Sequence, residues 1–347
     1  MEYYKNNVLG TKKEIIYCLC LLKDNKIALG SYSIIITEQN FSKILFSFEN
    51  KNHNPIYEII QTKRGPIICS ENNLIKVYSI FSNYYNLILT INRNNERIYK
   101  LRELSNGNIA YTTKDNKIVL FHSNFKNINY NYGLSNKKVI NFIEMRKNKL
   151  ILLCVKINQT YTYVSPWFNY SHRLCHFYLK TLEKTNDSSN WEIKDKCQIL
   201  TKRNVNYFVT RETMKISTNN YLIVGIGRYL YIYHIDNNDN FILQNGITFQ
   251  GNEFIQCICP FSKNILAIGS WSGTVFFIEN NKLLKIKNVK NTGNGNLKIR
   301  NLIKLDEGKI ICIKSKDEEE EEEVSIINNL NMKLINYKYL FLKMKKT

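Results

Sequence analysis

Short apolar runs and short polar breaks alternate along the chain, and no window of 12 or more residues carries a helical stripe. The recurring unit is an apolar strand, a polar turn, then a second strand that ends in small residues. Two places state it most clearly. Residues 14–32 read EIIYCLCLLKDNKIALGSY, and residues 253–271 read EFIQCICPFSKNILAIGSW. They share Glu14/Glu253, Ile16/Ile255, Cys18/Cys257, Cys20/Cys259, Asn25/Asn264, Ala28/Ala267, Gly30/Gly269 and Ser31/Ser270, eight of nineteen positions. Agreement of that extent marks copies of one structural unit.

Weaker copies stand at RGPIICSE, NGNIAYTT, KNKLILLC, NNYLIVGI and EGKIICIK. The first apolar residue after each polar turn is Ile27, Ile67, Ile109, Leu150, Leu222, Ile265 and Ile310, at steps of 40, 42, 41, 72, 43 and 45. Five of the six steps suit a four-stranded blade of about 40–45 residues, and the fourth is one blade plus roughly 30 more. Third strands follow at LIKVYSI (74–80), KIVLFHS (117–123), YLYIYHI (229–235) and TVFFIEN (274–280), rich in β-branched and aromatic residues. Fourth strands include KILFSFE (43–49) and YNLILTIN (85–92). The pattern predicts an all-β chain, a seven-bladed β-propeller with four antiparallel strands per blade. One domain spans residues 1–347, with blades at 12–50, 54–95, 97–135, 138–203, 205–249, 253–288 and 297–341 and an insertion at 158–171 in the fourth.

The segments GSWSGTVFFIEN and ENNLIKVYSIF resemble the second half of a WD repeat, in which a Gly-Ser turn leads into a strand ending Trp-Asp. The seven units resemble the WD-repeat β-propeller family over residues 12–341. No unit ends in Trp-Asp. Tyr78-Ser79, Phe121-His122, Tyr233-His234 and Ile278-Glu279 stand at those places, and Asn52-His53 is the nearest match to the family's Gly-His. With those residues replaced, cohesion within each blade is expected to rest on packing between sheets.

Bulk composition changes the picture little. Forty-four per cent hydrophobic residues suffice for a core. MEYYKNNVLG has no apolar signal core, and no run of about 18 apolar residues offers a membrane span. Nine cysteines, an odd number set within strand patterns, fit a reducing compartment, hence cytoplasm or nucleus. The net charge is +20, and setting aside the seven acids of 317–323 leaves 49 basic against 22 acidic residues. That balance favours anionic partners, whether acidic protein segments, nucleic acid or an anionic membrane surface, and it also suits a solubilising lysine-rich surface. The acidic run reads as a solvated hairpin loop of the seventh unit.

Most candidate chemistry resolves into core positions. The Cys18/Cys20 and Cys257/Cys259 pairs could point two thiols one way, but no second ligand pair accompanies them, and small buried cysteine is the simpler role. In HRLCH, His172 and His176 share a strand face while Cys175 faces away, which spoils three-point chelation. Gly225-Ile226-Gly227 lacks the third glycine and helix of a phosphate-binding loop, and no catalytic set stands out. No enzyme activity, cofactor or metal is expected.

The fourth unit holds the best local clue. VKINQTYTYVSPWFNYSH (155–172) carries Tyr161, Tyr163, Trp167, Phe168 and Tyr170 and no acid. Propeller topology places it between second and third strands, on the rim that also bears the blade-to-blade loops with Lys51, His53, Arg93, Arg97, Lys137, Lys138, Lys202, Arg203 and Lys290. Aromatic and cationic side chains together are the usual binding hot spots. The opposite rim is basic too, through Lys23, Lys63, Arg64, Arg146, Lys147 and Lys263, so charge alone picks no face. The expected function is a non-catalytic scaffold that binds a protein partner, with Tyr163, Trp167, Phe168, Tyr170, Arg93, Arg97, Lys137, Lys138, Lys202 and Arg203 as contact residues. A nucleic-acid-binding propeller is the alternative. A phosphoinositide-binding propeller is the lesser one, because its Arg-Arg-Gly is matched only by Lys63-Arg64-Gly65 in blade two.

Overall fold

A computed structural model describes residues 16–39, 43–49, 54–81, 84–92, 97–113, 117–121, 128–133, 138–165, 168–184, 191–203, 213–217, 220–250, 253–261, 265–279, 282–288, 298–305, 310–315 and 322–327. Every regular element among these residues is a β-strand. Sheet one holds β1 (Cys18–Leu21), β2 (Lys26–Gly30), β3 (Ser33–Glu38) and β4 (Ile44–Glu49). Sheet two holds β5 (Ile56–Gln61), β6 (Ile67–Glu71), β7 (Leu74–Phe81) and β8 (Tyr84–Asn92). Sheet three holds β9 (Ile98–Glu103), β10 (Ile109–Thr113), β11 (Lys117–Phe121) and β12 (Ile128–Gly133). Sheet four is longer, with β13 (Lys138–Arg146), β14 (Lys149–Ser165), β15 (Phe168–Lys184) and β16 (Trp191–Arg203). Sheet five holds β17 (Met214–Ile216), β18 (Tyr221–Ile226), β19 (Tyr229–Ile235) and β20 (Phe241–Thr248). Sheet six holds β21 (Ile255–Pro260), β22 (Ile265–Ser270), β23 (Thr274–Glu279) and β24 (Lys282–Asn288). The last sheet has β25 (Lys298–Lys304), β26 (Ile310–Ser315) and β27 (Glu322–Ile327).

Chain neighbours pair antiparallel within each sheet. The all-β propeller is present, with six complete four-stranded blades. The expectation of four strands in every unit is corrected at the last sheet, which has three among the described residues. Each of the seven sequence landmarks, Ile27 to Ile310, is the first or second residue of a second strand. The tight turn before that strand needs one left-handed residue. Asn25 (φ 60°), Gly65 (115°), Gly107 (82°), Asn148 (64°) and Asn220 (57°) supply it in sheets one to five. Asparagine tolerates this conformation better than other side-chain-bearing residues, so it substitutes for glycine here.

The sheets pack face to face in chain order, and β25 lies against β1, which closes the ring. One apolar cluster sits at each junction. Cys18, Ile34, Ile56 and Cys69 join sheets one and two, for example, while Ile27, Leu29 and Ile311 join the last sheet to the first. The twin segments owe their likeness to this packing. A Cβ on Gly269 would lie 2.7 Å from Cys257 Sγ and 2.9 Å from Ile299 Cβ. One on Gly30 would run into Cys18 Sγ and sit 3.0 Å from Ile56 Cγ2. The missing side chain admits both the thiol and the next sheet's isoleucine. Cys18 Sγ reaches the Ile56 carbonyl at 3.4 Å, and Cys257 Sγ the Ile299 carbonyl at 3.9 Å.

Packing is not the whole of blade cohesion, contrary to the sequence expectation. In sheet six the Ser272 hydroxyl donates to Glu253, Thr274 donates to Glu253 Oε1 at 3.1 Å, and the Ser270 and Ser272 hydroxyls lie 2.9 Å apart. In sheet two Asn54 Nδ2 donates to Glu71 Oε1 at 3.3 Å and Asn72 Nδ2 to Asn54 Oδ1 at 2.8 Å. Carboxylates, amides and hydroxyls thus tie these two blades internally, where no Trp-Asp or Gly-His is present.

Two series of β-bulges recur around the ring. Near the start of the first strand, the register skips Tyr57, Tyr99, Ile140, Gln256 and Arg300 in sheets two, three, four, six and seven. In each complete blade the fourth strand is also bulged against the third, at Leu45, Ile88, Asn129, Ile199, Gln244 and Leu284 among other positions.

Candidate functional site

In sheet four the second and third strands run long, so the extra length is strand and not loop. The first strand stops at the Lys138↔Val155 pair. β14 and β15 stay paired from there to Ser165↔Phe168, with one bulge near Gln159. At about 3.3 Å per residue the ribbon continues roughly 30 Å past the end of the first strand. β16 accompanies it as far as Leu174↔Arg203.

The expected contact residues fall into three groups. Tyr163 and Tyr170 are direct cross-strand partners, Phe168 pairs with Ser165, and Lys202 and Arg203 pair with Cys175 and Leu174. At these positions the structure describes backbone pairing only. Lys138 is exposed at the root of the ribbon, and Arg97 is partly buried just ahead of β9. Arg93, Lys137 and Trp167 lie outside the described residues. Within the ribbon the register therefore joins Tyr163 with Tyr170, while Arg97 belongs to a second grouping.

That grouping surrounds the start of the first strands. Tyr17, Tyr57 and Tyr99 follow Ile16, Ile56 and Ile98, and Arg300 follows Ile299. A bulge turns such a residue out of the regular alternation. The Arg97 guanidinium carbon stacks 4.2 Å from the Tyr57 ring centroid and 5.6 Å from that of Tyr99, and Arg97 donates a hydrogen bond to the Tyr57 hydroxyl. Tyr57 meets Tyr17 edge-on at 5.7 Å, and Tyr17 meets Tyr32 at 5.8 Å, with 3.0 Å between their hydroxyls. Arg300 lies 5.9 Å from the Tyr17 ring. Lys298 Nζ sits 3.3 Å above the Trp271 ring. Cations and aromatic rings thus meet at these strand starts from sheet six through seven, one and two to three. The ribbon rises from the same rim. Sequence reasoning found only Arg97 of this arc. Aligning the first strands on their leading isoleucines would have exposed the Tyr-Tyr-Tyr-Arg series.

On the opposite rim Lys23, Lys63, Arg146 and Lys149 are committed to structure. The first turns of sheets one to four reach the next sheet. The backbone N–H of Lys23 donates to Gln61 Oε1 at 2.7 Å, that of Lys63 to Glu103 Oε2 at 2.7 Å, and that of Ser105 to Glu144 Oε2 at 2.6 Å. Lys23 Nζ donates to the Lys63 carbonyl and Lys63 Nζ to the Ser105 carbonyl, the latter at 3.5 Å. Between sheets four and five, Arg146 and Lys149 both engage Asp239, Lys149 at 2.6 Å. Lys149 also pairs with Glu183 at 3.0 Å. Arg64 and Lys147 remain exposed, and Lys263 lies outside the described residues.

The cysteine readings hold as core filling. None of the nine cysteines is in a disulfide, and Cys18, Cys257, Cys259 and Cys175 are buried. Burial raises the Cys20 thiol to about 11 and Cys69 to about 12, which keeps both protonated and poorly suited to ligation or attack. His176 lies 6.4 Å from the Tyr178 ring, tilted at 32°. Among the described residues no three His, Cys, Asp or Glu side chains converge on a metal position, and no helix is long and apolar enough to cross a membrane.

No family model matches the chain, and no curated protein matches it by sequence. Solved structures do. The β-propeller domain of Cps50 (Swd1) from Myceliophteria thermophila superposes with a TM-score of 0.65 at 7% identity, over 92% of this chain and 98% of that one. Saccharomyces cerevisiae Sqt1 gives a TM-score of 0.62 at 10% identity, over 95% and 98%. Both are propellers of the WD-repeat type, and at these identities the likeness carries the fold alone.

Proposed function

We propose that the chain is a non-catalytic protein-interaction scaffold, a divergent WD-repeat-type propeller whose three-stranded sheet is a seventh blade and whose single ring domain spans the chain. It binds its partner on the rim that bears the β14–β15 ribbon. One observation carries the reading: the two rims use their cations differently. Lys23, Lys63 and Arg146 are spent on blade-to-blade contacts, whereas Arg97 and Arg300 lie against tyrosines at the first-strand starts, the end of the blades from which the ribbon extends. Rigid turns on a wide disc, with aromatic and arginine side chains among them, suit recognition of another protein. Nine cysteines outside any disulfide favour a reducing compartment such as the cytoplasm.

The test is affinity capture from lysate of the intact protein and of a version with residues 158–171 replaced by a short Gly-Ser turn, each with and without nuclease. The expected outcome is a protein partner set that survives nuclease and is lost with the ribbon. Identical partner sets from both versions would remove the ribbon from the binding surface. Recovery of nucleic acid alone would replace the scaffold by a nucleic-acid-binding propeller.

A further inference from the structure

We infer that the outer edge of β14, over residues 160–165, takes an extended acidic segment of another polypeptide as an added strand. This deepens the scaffold reading and rests on it, because it names how the ribbon holds its partner. β14 has a strand on both sides only as far as the Lys138↔Val155 pair. Beyond that pair, among the described residues, it is laddered to β15 alone. A register shift between Asn158 and Thr160 marks the base of the one-sided stretch. Six pairs then follow without a fault, from Thr160↔Arg173 to Ser165↔Phe168. A strand in unbroken register presents N–H and C=O groups where an incoming strand needs them, and an added peptide takes its affinity from those main-chain hydrogen bonds.

The composition of this edge matches its geometry. Natural edges are blunted by bulges, by charged side chains and by proline. The fourth strands of the six complete blades are each bulged against the third. Residues 160–165, TYTYVS, have no such fault and no Lys, Arg or Pro, and Thr, Tyr and Val are strand formers. The ribbon's other one-sided stretch, residues 168–173 of β15, carries His172 and Arg173 in its ladder and is the guarded edge of the two. Charge selects the occupant. The stretches past the end of the first strand, 156–176 and 201–203, contain Lys156, Arg173, Lys202 and Arg203 and no Asp or Glu. An acidic segment is drawn to such a ribbon, whereas a second copy of this chain sets the same cations against one another. A nucleic acid shares the acidic sign but has no strand to add.

The experiment combines fluorescence anisotropy with hydrogen–deuterium exchange on the full chain. The parent probe is a labelled dodecapeptide that alternates Val and Thr between paired Glu at each end. Two derivatives carry N-methyl groups on alternate residues, so each lacks the donors of one peptide edge. A Gln-for-Glu version and a single-stranded DNA dodecamer complete the set. The parent is expected to bind and to slow exchange within 160–165. One methylated form should keep that affinity and the other should lose it about tenfold. The Gln version should bind more weakly, with a gap that narrows in added salt. Successive residues of a strand direct their N–H groups to opposite sides, so one of Thr162→Pro and Tyr163→Pro removes an edge donor. That variant should lose the parent probe about tenfold with its thermal melt unchanged. If neither proline variant folds, the methylated probes on the unaltered chain carry the test. Equal binding of both methylated forms overturns the inference, as does protection confined to 168–173 or DNA protecting 160–165 in place of peptide. A dimer in sedimentation that ribbon replacement abolishes gives the edge to a second copy and overturns it too. If the parent does not bind while ribbon replacement still strips partners from the captured set, the edge inference fails and the scaffold reading stands. If the parent binds as expected but the captured set is unchanged, the edge stands and the scaffold's partner surface lies elsewhere.

Discussion

The two rims have the same sign and close to the same residue types, yet they do different work. On the turn rim, Lys23, Lys63 and Arg146 lean along the ring and end on an oxygen of the neighbouring blade. On the ribbon rim, arginine lies on tyrosine faces within the arc. The difference shows that net charge is a poor guide to a binding face in a ring. What matters is whether a cation's reach matches the spacing between blades. Lys23 and Lys63 sit where a four-carbon stem spans to the next turn. Arg97 and Arg300 stand at strand starts, where the nearest neighbours are rings.

Three changes break or sharpen that contrast. The largest effect is expected from Asp239→Asn, which keeps a residue tolerant of φ 61° while removing the charge that Lys149 and Arg146 share. Lys149 is buried and among the described residues would keep Glu183 alone, so stability should fall by about 2 kcal/mol, read from the urea midpoint, with partner capture on the ribbon rim unchanged. A midpoint unmoved by Asp239→Asn would mean the turn rim is not structural at this junction. A smaller loss, about 1 kcal/mol, is expected from Glu144→Ala, which strips two acceptors from the exposed Ser105. The same variant should again leave the ribbon rim's binding intact, and a loss of affinity there would couple the two faces.

The smallest effect concerns pH. Cys69 holds its proton to about 12 in the folded chain against an ordinary 9.0, and burial, the largest cause, also lifts Tyr85 to about 12. Between those values the unfolded chain binds fewer protons than the folded one. The contribution is therefore full below about 9 and declines as pH rises toward 12. Melting temperature should be insensitive to Cys69 below pH 9 and fall above it. Cys69→Ala should flatten the alkaline limb without altering the ranking of the two rims.

Much of the ring was legible because blade packing writes itself into sequence. Gly30 and Gly269 must be small for Cys18 and Cys257 to seat beside the next isoleucine, and that demand repeats at a fixed period. Landmarks such as Ile67 and Ile310 fell on strand starts for the same reason. The polar staples were not legible. Glu253 with Ser272 and Asn54 with Glu71 solve one problem with different side chains, so a search for Trp-Asp and Gly-His passes over them. The site was half legible. Surplus length pointed to sheet four, and Tyr163 and Tyr170 do pair there. The arc was missed because its members lie about forty residues apart in sequence, as Tyr17 and Tyr57 do, and only strand register brings them together.

The bulged fourth strands have a consequence for crowding. An outer strand with regular spacing is a template on which a second chain can zip up and propagate. At Ile88 or Gln244 the ladder is out of step after a few residues, so an incoming strand finds donors and acceptors in register only briefly. The exposed aliphatic pairs Leu87–Ile88 and Ile242–Leu243 straddle or adjoin these faults. At the six complete blades the outer strand is thereby a poor template for a second chain, even where it is greasy.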